Sequence, residues 1–445
     1  MDGGHWDDTG TVPLRITALG VRPPGGQHRR PEPRTRITSL DGLRGIAALV
    51  VVVYHVFLTQ PALAEPYRNP AADVDGATWW ATFTPLHLGW AGPEAVFVFF
   101  VLSGLVLALP VADTGRLNLW DYYPRRLVRL YLPVWAAVGL TVLWATVVPR
   151  VWPDGASWWI VGNATEPTVS KVVADLLLVW SPGQANHVLW SLQWEVLYCL
   201  GLPLVLVALR WAPRAWAVKL GLVAAALLLG SVAGSLALAS LPLFVLGTLM
   251  AVEHRRLAAW AEALDGSPLG RLWWAVAMAA CVTLLLSYWL VQALPLPAAA
   301  VGPAEDVARV LQGLGAGLVV AVVWLCPGAQ AAMTAPVMQW LGSRSFSLYL
   351  VHLPVVATVA LLLGGRPPLL VALAGTLVVT LPLTEAFYRF VERPSHRIAR
   401  RAGRVVAERA RSAPAPEVVP ARATSNGGRP PRSSATVATT GRCTR

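Results

Sequence analysis

Ten apolar stretches, at 41–60, 94–112, 127–149, 190–209, 216–232, 235–252, 272–292, 306–326, 345–363 and 369–391, leave this chain few ways to fold. Each approaches the ~20 residues a helix needs to cross a bilayer. In lipid every backbone N–H and C=O must be satisfied within the chain, which favours helices over open strands. Only 13% of the residues are charged, against about 25% in soluble domains. The expectation is an all-α polytopic membrane protein with about ten transmembrane helices. Its membrane domain spans 39–398, between disordered tails at 1–38 and 399–445. The first tail is polar, rich in Pro, Gly and Arg, and lacks the apolar centre of a cleavable signal. From Arg400 onward Arg, Ala, Ser and Pro dominate without an apolar face.

Charge sets the expected orientation. The net charge is +12, and Lys171 and Lys219 are the only lysines. In a soluble protein that excess would suggest nucleic acid. Here the arginines cluster beside apolar spans, so the expected partner is the lipid bilayer and no nucleic acid. The basic residues of the N-terminal tail, of the second, fourth and sixth connections and of the C-terminal tail alternate with nearly neutral odd connections. Ten spans with both termini cytoplasmic fit that alternation, in a multi-pass protein of the plasma membrane.

Against this apolar background a few ionisable residues stand out, because such groups are costly in a span and often mark a functional path. In SLDGLRGIAALVVVVYH, Arg44 and His55 are eleven residues apart, three turns, so they share a face roughly 16 Å apart along the axis. WSLQWE puts Glu195 a little over one turn into the fourth span, at a depth like that of His55. The two could form a general base with its orienting partner, or a structural pair between packed helices. On the other side, DYYPRRLVRL gathers Arg125, Arg126 and Arg129, with Pro124 suited to a helix start. Those arginines could serve topology alone, or bind polyphosphate through paired hydrogen bonds. Ser347, Tyr349 and His352 are expected in the cytoplasmic half of the ninth span, lining a channel or tying helices together. A run from Val172 to Trp180 is too short to span and suits a re-entrant segment. Trp79, Trp80, Trp90, Trp152, Trp158 and Trp159 suit an interfacial belt, or a platform for a sugar ring. The four scattered cysteines offer no metal-ligand spacing, and no metal is expected. Walker, GxSxG, HExxH and dinucleotide motifs are absent.

The motifs SLDGLRGIAALVVVVYH, GPEAVFVFFVLSG, RRLVR with LYLP, WSLQWE, LGSRSFSLYLVHLP and YRFVERP, in that order, resemble the acyltransferase-3 family of integral membrane O-acyltransferases. They cover about residues 39–398. Many members carry two acids after the WSL block and an aspartate in the second span. Here Glu195 stands alone, and Glu94 lies farther from the phenylalanines. The resemblance implies transfer of an acyl group, commonly acetyl, from acyl-CoA to a hydroxyl of a sugar, envelope glycan or glycosylated metabolite. It implies His55 as catalytic base, Glu195 in support, and Arg44, Arg126 and Arg129 on the donor side. No hydrolase-like domain follows the last span, so any extracytoplasmic partner is expected to be a separate protein. The rival from another class is a transporter or flippase of a glycan or lipid-linked substrate, whose buried charges would line a path. The inverted repeat common in transporters is not evident.

Overall fold

The computed structural model of the protein describes residues 15–17, 37–211 and 215–412. In chain order the elements are β1 (Arg15–Thr17), α1 (Thr38–Phe57), α2 (Pro61–Arg68), α3 (Gly76–Phe83), α4 (Gly92–Thr114) and β2 (Arg116–Asn118). Then follow α5 (Leu119–Val147), α6 (Trp158–Asn163), α7 (Val169–Leu177), α8 (Trp190–Trp211), α9 (Trp216–Val232), α10 (Leu236–Val252) and α11 (His254–Asp265). The last third holds α12 (Gly270–Leu285), α13 (Ser287–Gln292), α14 (Ala298–Leu325), α15 (Pro327–Met333), α16 (Pro336–Leu362), α17 (Leu369–Phe387) and α18 (Arg393–Ser412).

All ten expected stretches lie largely on helices, and the chain is an all-α polytopic membrane protein. Among the described residues, seven helical runs are long and apolar enough to cross a bilayer: α1, α4, α5, His187–Trp211, α14, α16 and Leu369–Ser412. The pair α10–α11 makes an eighth if its 71° bend is counted inside one span. Two others, α9 and α12, are apolar but only 17 and 16 residues long. The strands form one three-residue parallel ladder, Arg15 opposite Arg116 and Thr17 opposite Asn118.

Local chemistry sets the ends that matter for the site. The Asn118 side chain accepts from the Trp120 N–H and caps α5, with Asp121 in its first turn. The helix therefore begins at Leu119 instead of Pro124, and Arg125, Arg126 and Arg129 stand on its first turns. At the other end of the chain α17 does not stop before Pro394. A π turn over Tyr388–Glu392 carries it into α18, which runs on to Ser412. The expected start of a disordered tail at 399 thus falls inside a helix, whereas 1–14, 18–36 and 413–445 lie outside the described residues.

Two helices cross at bare backbone. A side chain on Gly45 would run into Leu341 and the Gly342 amide of α16, and one on Gly342 into the Asp41 carbonyl of α1. Close approach through glycine is a common way for helices to pack in lipid, where van der Waals contact replaces the hydrophobic effect. Gly342→Ala is expected to push α1 off α16 and to lower both detergent stability and activity. An unchanged unfolding midpoint would show that the crossing has slack.

Candidate active site

The glycine crossing fixes the register of two histidines. His55 lies ten residues beyond Gly45, and His352 lies ten beyond Gly342, so along two parallel helices each rises about 15 Å to the same level. There His55 Nδ1 and His352 Nε2 are 2.9 Å apart, with both rings buried. The Leu348 carbonyl, 3.0 Å from His352 Nδ1, can only accept, so that nitrogen carries the hydrogen. In a neutral His352, Nε2 is then the acceptor. His55 must donate to it through Nδ1–H, which leaves His55 Nε2 as the basic nitrogen.

The His55 ring lines a cavity of 340 Å³ with Tyr54, Trp159, His187, Trp190 and Tyr349. The Trp159 ring is centred 5.0 Å from His55, and the His187 ring 5.6 Å from Trp159. Tyr349 also borders a narrow chamber of 40 Å³ that contains Arg44, Ser103, Ser191 and Glu195. Its hydroxyl donates to the Val188 carbonyl (2.9 Å) and meets Ser191 Oγ at 2.7 Å. Tyr349 therefore forms part of the wall between the two spaces. We refer to the His55 end as the histidine face and to the opposite end as the arginine face.

Glu195 pairs with Arg126, whose guanidinium also reaches Cys199 Sγ at 3.2 Å. Arg126 in turn lines a cavity of 590 Å³ on the arginine face, with Arg116, Arg125, Arg129, His396 and Arg400 among its walls. Asp121 holds Arg125 at 2.6 Å. Arg129 and Arg44 are left without an ion-pair partner among the described residues. Arg129 is nevertheless within electrostatic reach of Arg126, Arg44, Glu392 and Glu195. Glu392, buried at the π turn, is held by the Ser347 N–H (3.1 Å) and hydroxyl (2.5 Å). Cations gathered on the walls of one cavity, with their nearest carboxylates already engaged, make a site for an anion.

The five sequence-predicted residues thus separate into two groups. Arg44, Arg126, Arg129 and Glu195 gather on the arginine side and in the narrow chamber, and His55 stands alone at the other end. Its ring partner is His352, not Glu195. The reason lies in where α8 starts. Asp175 accepts four backbone N–H groups, from Gly183, Gln184, Ala185 and Asn186, at 2.6 to 3.1 Å. Burial pushes its pKa up, while those N–H groups favour the charged form. The turn so formed tucks Asn186 inside, where its amide bonds the Leu350 carbonyl of α16. Hence α8 begins within the protein, and Glu195 falls to the level of Arg126. Asp175→Ala would orphan several buried N–H groups at about 1–3 kcal/mol each. A clear drop in the unfolding midpoint of the solubilised protein is expected; an unmoved midpoint would mean that the turn holds itself.

The remaining candidates sort by burial. Trp79 and Trp80 are exposed, as a belt requires, whereas Trp90 is core, its indole bonded to the Ala81 carbonyl. Glu94 is buried and accepts from Trp289 and Gln312. Among the described residues no group of three or more His, Cys, Asp or Glu could hold a metal ion.

A polytopic helical protein with a buried histidine pair at one end of a chain of cavities and an arginine-lined space at the other defines the class. The acyltransferase-3 family model, an acyltransferase domain, matches residues 37–385, and the chain belongs to that family. Acyltransferase MdmB of Streptomyces mycarofaciens is 26% identical over 366 residues, 74% of this chain and 82% of that one. No solved structure matches the chain. The protein is therefore a multi-pass membrane acyltransferase.

Proposed function

We propose that the chain is an O-acyltransferase that uses acyl-CoA, with acetyl the expected group, and acylates a hydroxyl of a sugar, glycan or glycosylated metabolite. The carrying observation is the succession of spaces, from Arg44 and Arg129, which have no ion-pair partner among the described residues, past the Arg126–Glu195 pair and Tyr349, to His55. The arginine face would be cytoplasmic, in a plasma membrane, because positive residues stay on that side. The donor's phosphates would sit against Arg126, Arg129 and Arg44, its pantetheine arm in the narrow chamber. The acceptor would enter from the histidine face, where Trp159 offers a ring for a sugar to stack on.

In the chemical step the acceptor hydroxyl hydrogen-bonds His55 Nε2. As its oxygen bonds to the thioester carbonyl carbon, its proton passes to Nε2. Collapse breaks the C–S bond, and the imidazolium returns the proton to the leaving thiolate, giving ester and free CoA. His352 keeps Nδ1–H engaged throughout, so the basic nitrogen always faces the substrate side. Glu195, by holding Arg126, sets the charge at the mouth of the chamber and acts at a distance from the imidazole.

The test is direct. Protein in nanodiscs is given acetyl-CoA labelled in the acetyl group together with an extract of envelope glycans and metabolites. Alkali-labile label on a carbohydrate, with release of free thiol, is the expected outcome. Donor-independent uptake of a glycan into proteoliposomes, without thiol release, would move the assignment to a transporter.

A further inference from the structure

The family match ends at residue 385, yet a wall of the arginine-face cavity comes from beyond it. Along α18, Ser395, Ala399, Gly403 and Ala407 recur every four residues and are all buried, a stripe of small side chains on one face. A side chain on Gly403 would meet the Asp121 carboxylate and backbone carbonyl and the Arg125 Cβ. Glycine there lets α18 lie against the first turns of α5. That contact brings His396 and Arg400 to the cavity lined by Arg125, Arg126 and Arg129.

The charges around this space do not cancel. Five arginines and one aspartate line it. Asp121 is matched to Arg125, and Glu195, from the narrow chamber, to Arg126. Arg116, Arg129 and Arg400 remain without a carboxylate partner among the described residues. Their positions are graded. Glu392, at the start of α18, is within electrostatic reach of Arg129 and Arg44 beside the narrow chamber. Arg400 lies eight residues farther along, roughly 12 Å at helical rise. A ligand with charge at one distance only would leave the outer cation idle. Val106, Leu107, Pro110, Leu117 and Tyr122 supply an apolar and aromatic flank to the same space.

We infer that α18 is part of the donor site, with Arg400 binding the phosphate monoester on the nucleotide end of the acyl-CoA. This rests on the acyl-CoA reading above. The donor likewise carries its charge at two places, a pyrophosphate nearer its thioester and a 3′-phosphate at the far ribose, and Arg129 and Arg400 both line the one cavity. The apolar flank then receives the adenine ring.

The test compares acetyl-CoA with 3′-dephospho-acetyl-CoA as donors for the wild type and Arg400→Gln. Loss of one charge-assisted contact corresponds to roughly a 10- to 100-fold weakening. The wild type should show a KM higher by about that factor for the dephospho donor. Arg400→Gln should raise KM for acetyl-CoA by a similar factor and add nothing further with the dephospho donor, kcat staying level. Arg401→Gln, which takes the same charge from α18 off the cavity, should move neither KM. Equal effects of Arg400→Gln on both donors, or wild-type indifference to the 3′-phosphate, would overturn the inference and leave the acyl-CoA reading standing. If the wild type turns over neither thioester, both fall.

Discussion

His55→Ala is expected to lower acyl transfer by about 10²–10⁴-fold, the range that a positioned general base contributes. His352→Ala should lower kcat less, since the base remains but its tautomer is no longer fixed. The double variant should be no slower than His55→Ala, because the two rings act as one unit and such effects do not add. Donor KM should stay near the wild-type value in all three, since the pair is remote from the arginine-face cavity. Single-turnover rates with labelled acetyl-CoA check this. Additive losses would mean that the two histidines act independently, and near-normal turnover without His55 would place the base elsewhere.

Arg129→Lys should be the most damaging conservative change on the donor side. Lysine preserves positive charge, so topology is unaffected, but it lacks the planar fork that pairs with phosphate oxygens. Among the described residues it has no ion-pair partner, although Glu392 and Glu195 lie within electrostatic reach, so its guanidinium can turn to the ligand. Donor KM is expected to rise roughly 10- to 100-fold, the effect of losing one charge-assisted hydrogen bond. Arg126→Lys should instead act through Glu195, with which Arg126 is paired, and show more loss of stability than of affinity. Cysteine-accessibility mapping must show unchanged orientation in both variants. Wild-type donor KM in Arg129→Lys would return the cluster to a role in topology alone.

Much of the architecture could be read from the residues because it follows from hydropathy. The apolar stretches predicted helices where helices occur, and the separation of Arg44 from His55 needed only the helical rise. What failed were depths reckoned from assumed helix ends. The ninth apolar stretch starts at 345, which puts His352 in the cytoplasmic half. The helix begins at Pro336, so His352 stands about two and a half turns deeper than its hydropathy start suggests. A signal for the pairing was present: Gly45 to His55 and Gly342 to His352 have the same spacing. Equal spacing becomes informative only once the two glycines are known to touch, which is tertiary information. Glu195 departs from its expected depth for a related reason. The Asp175 turn that draws the start of α8 inward is made of backbone hydrogen bonds, and nothing in its composition announces it. The continuation into α18 was hidden by Pro394, because a π turn before a proline leaves no local sequence mark.

The central claim is that one acyl group passes through the protein from the arginine face to the histidine face. Sealed proteoliposomes of defined orientation test it, with neutral methyl glycosides inside and labelled acetyl-CoA outside against the arginine face. Labelled glycoside ester is expected in the lumen and free CoA outside, both formed about 10²–10⁴-fold more slowly by His55→Ala. Ester formed only when donor is supplied to the histidine face would contradict it.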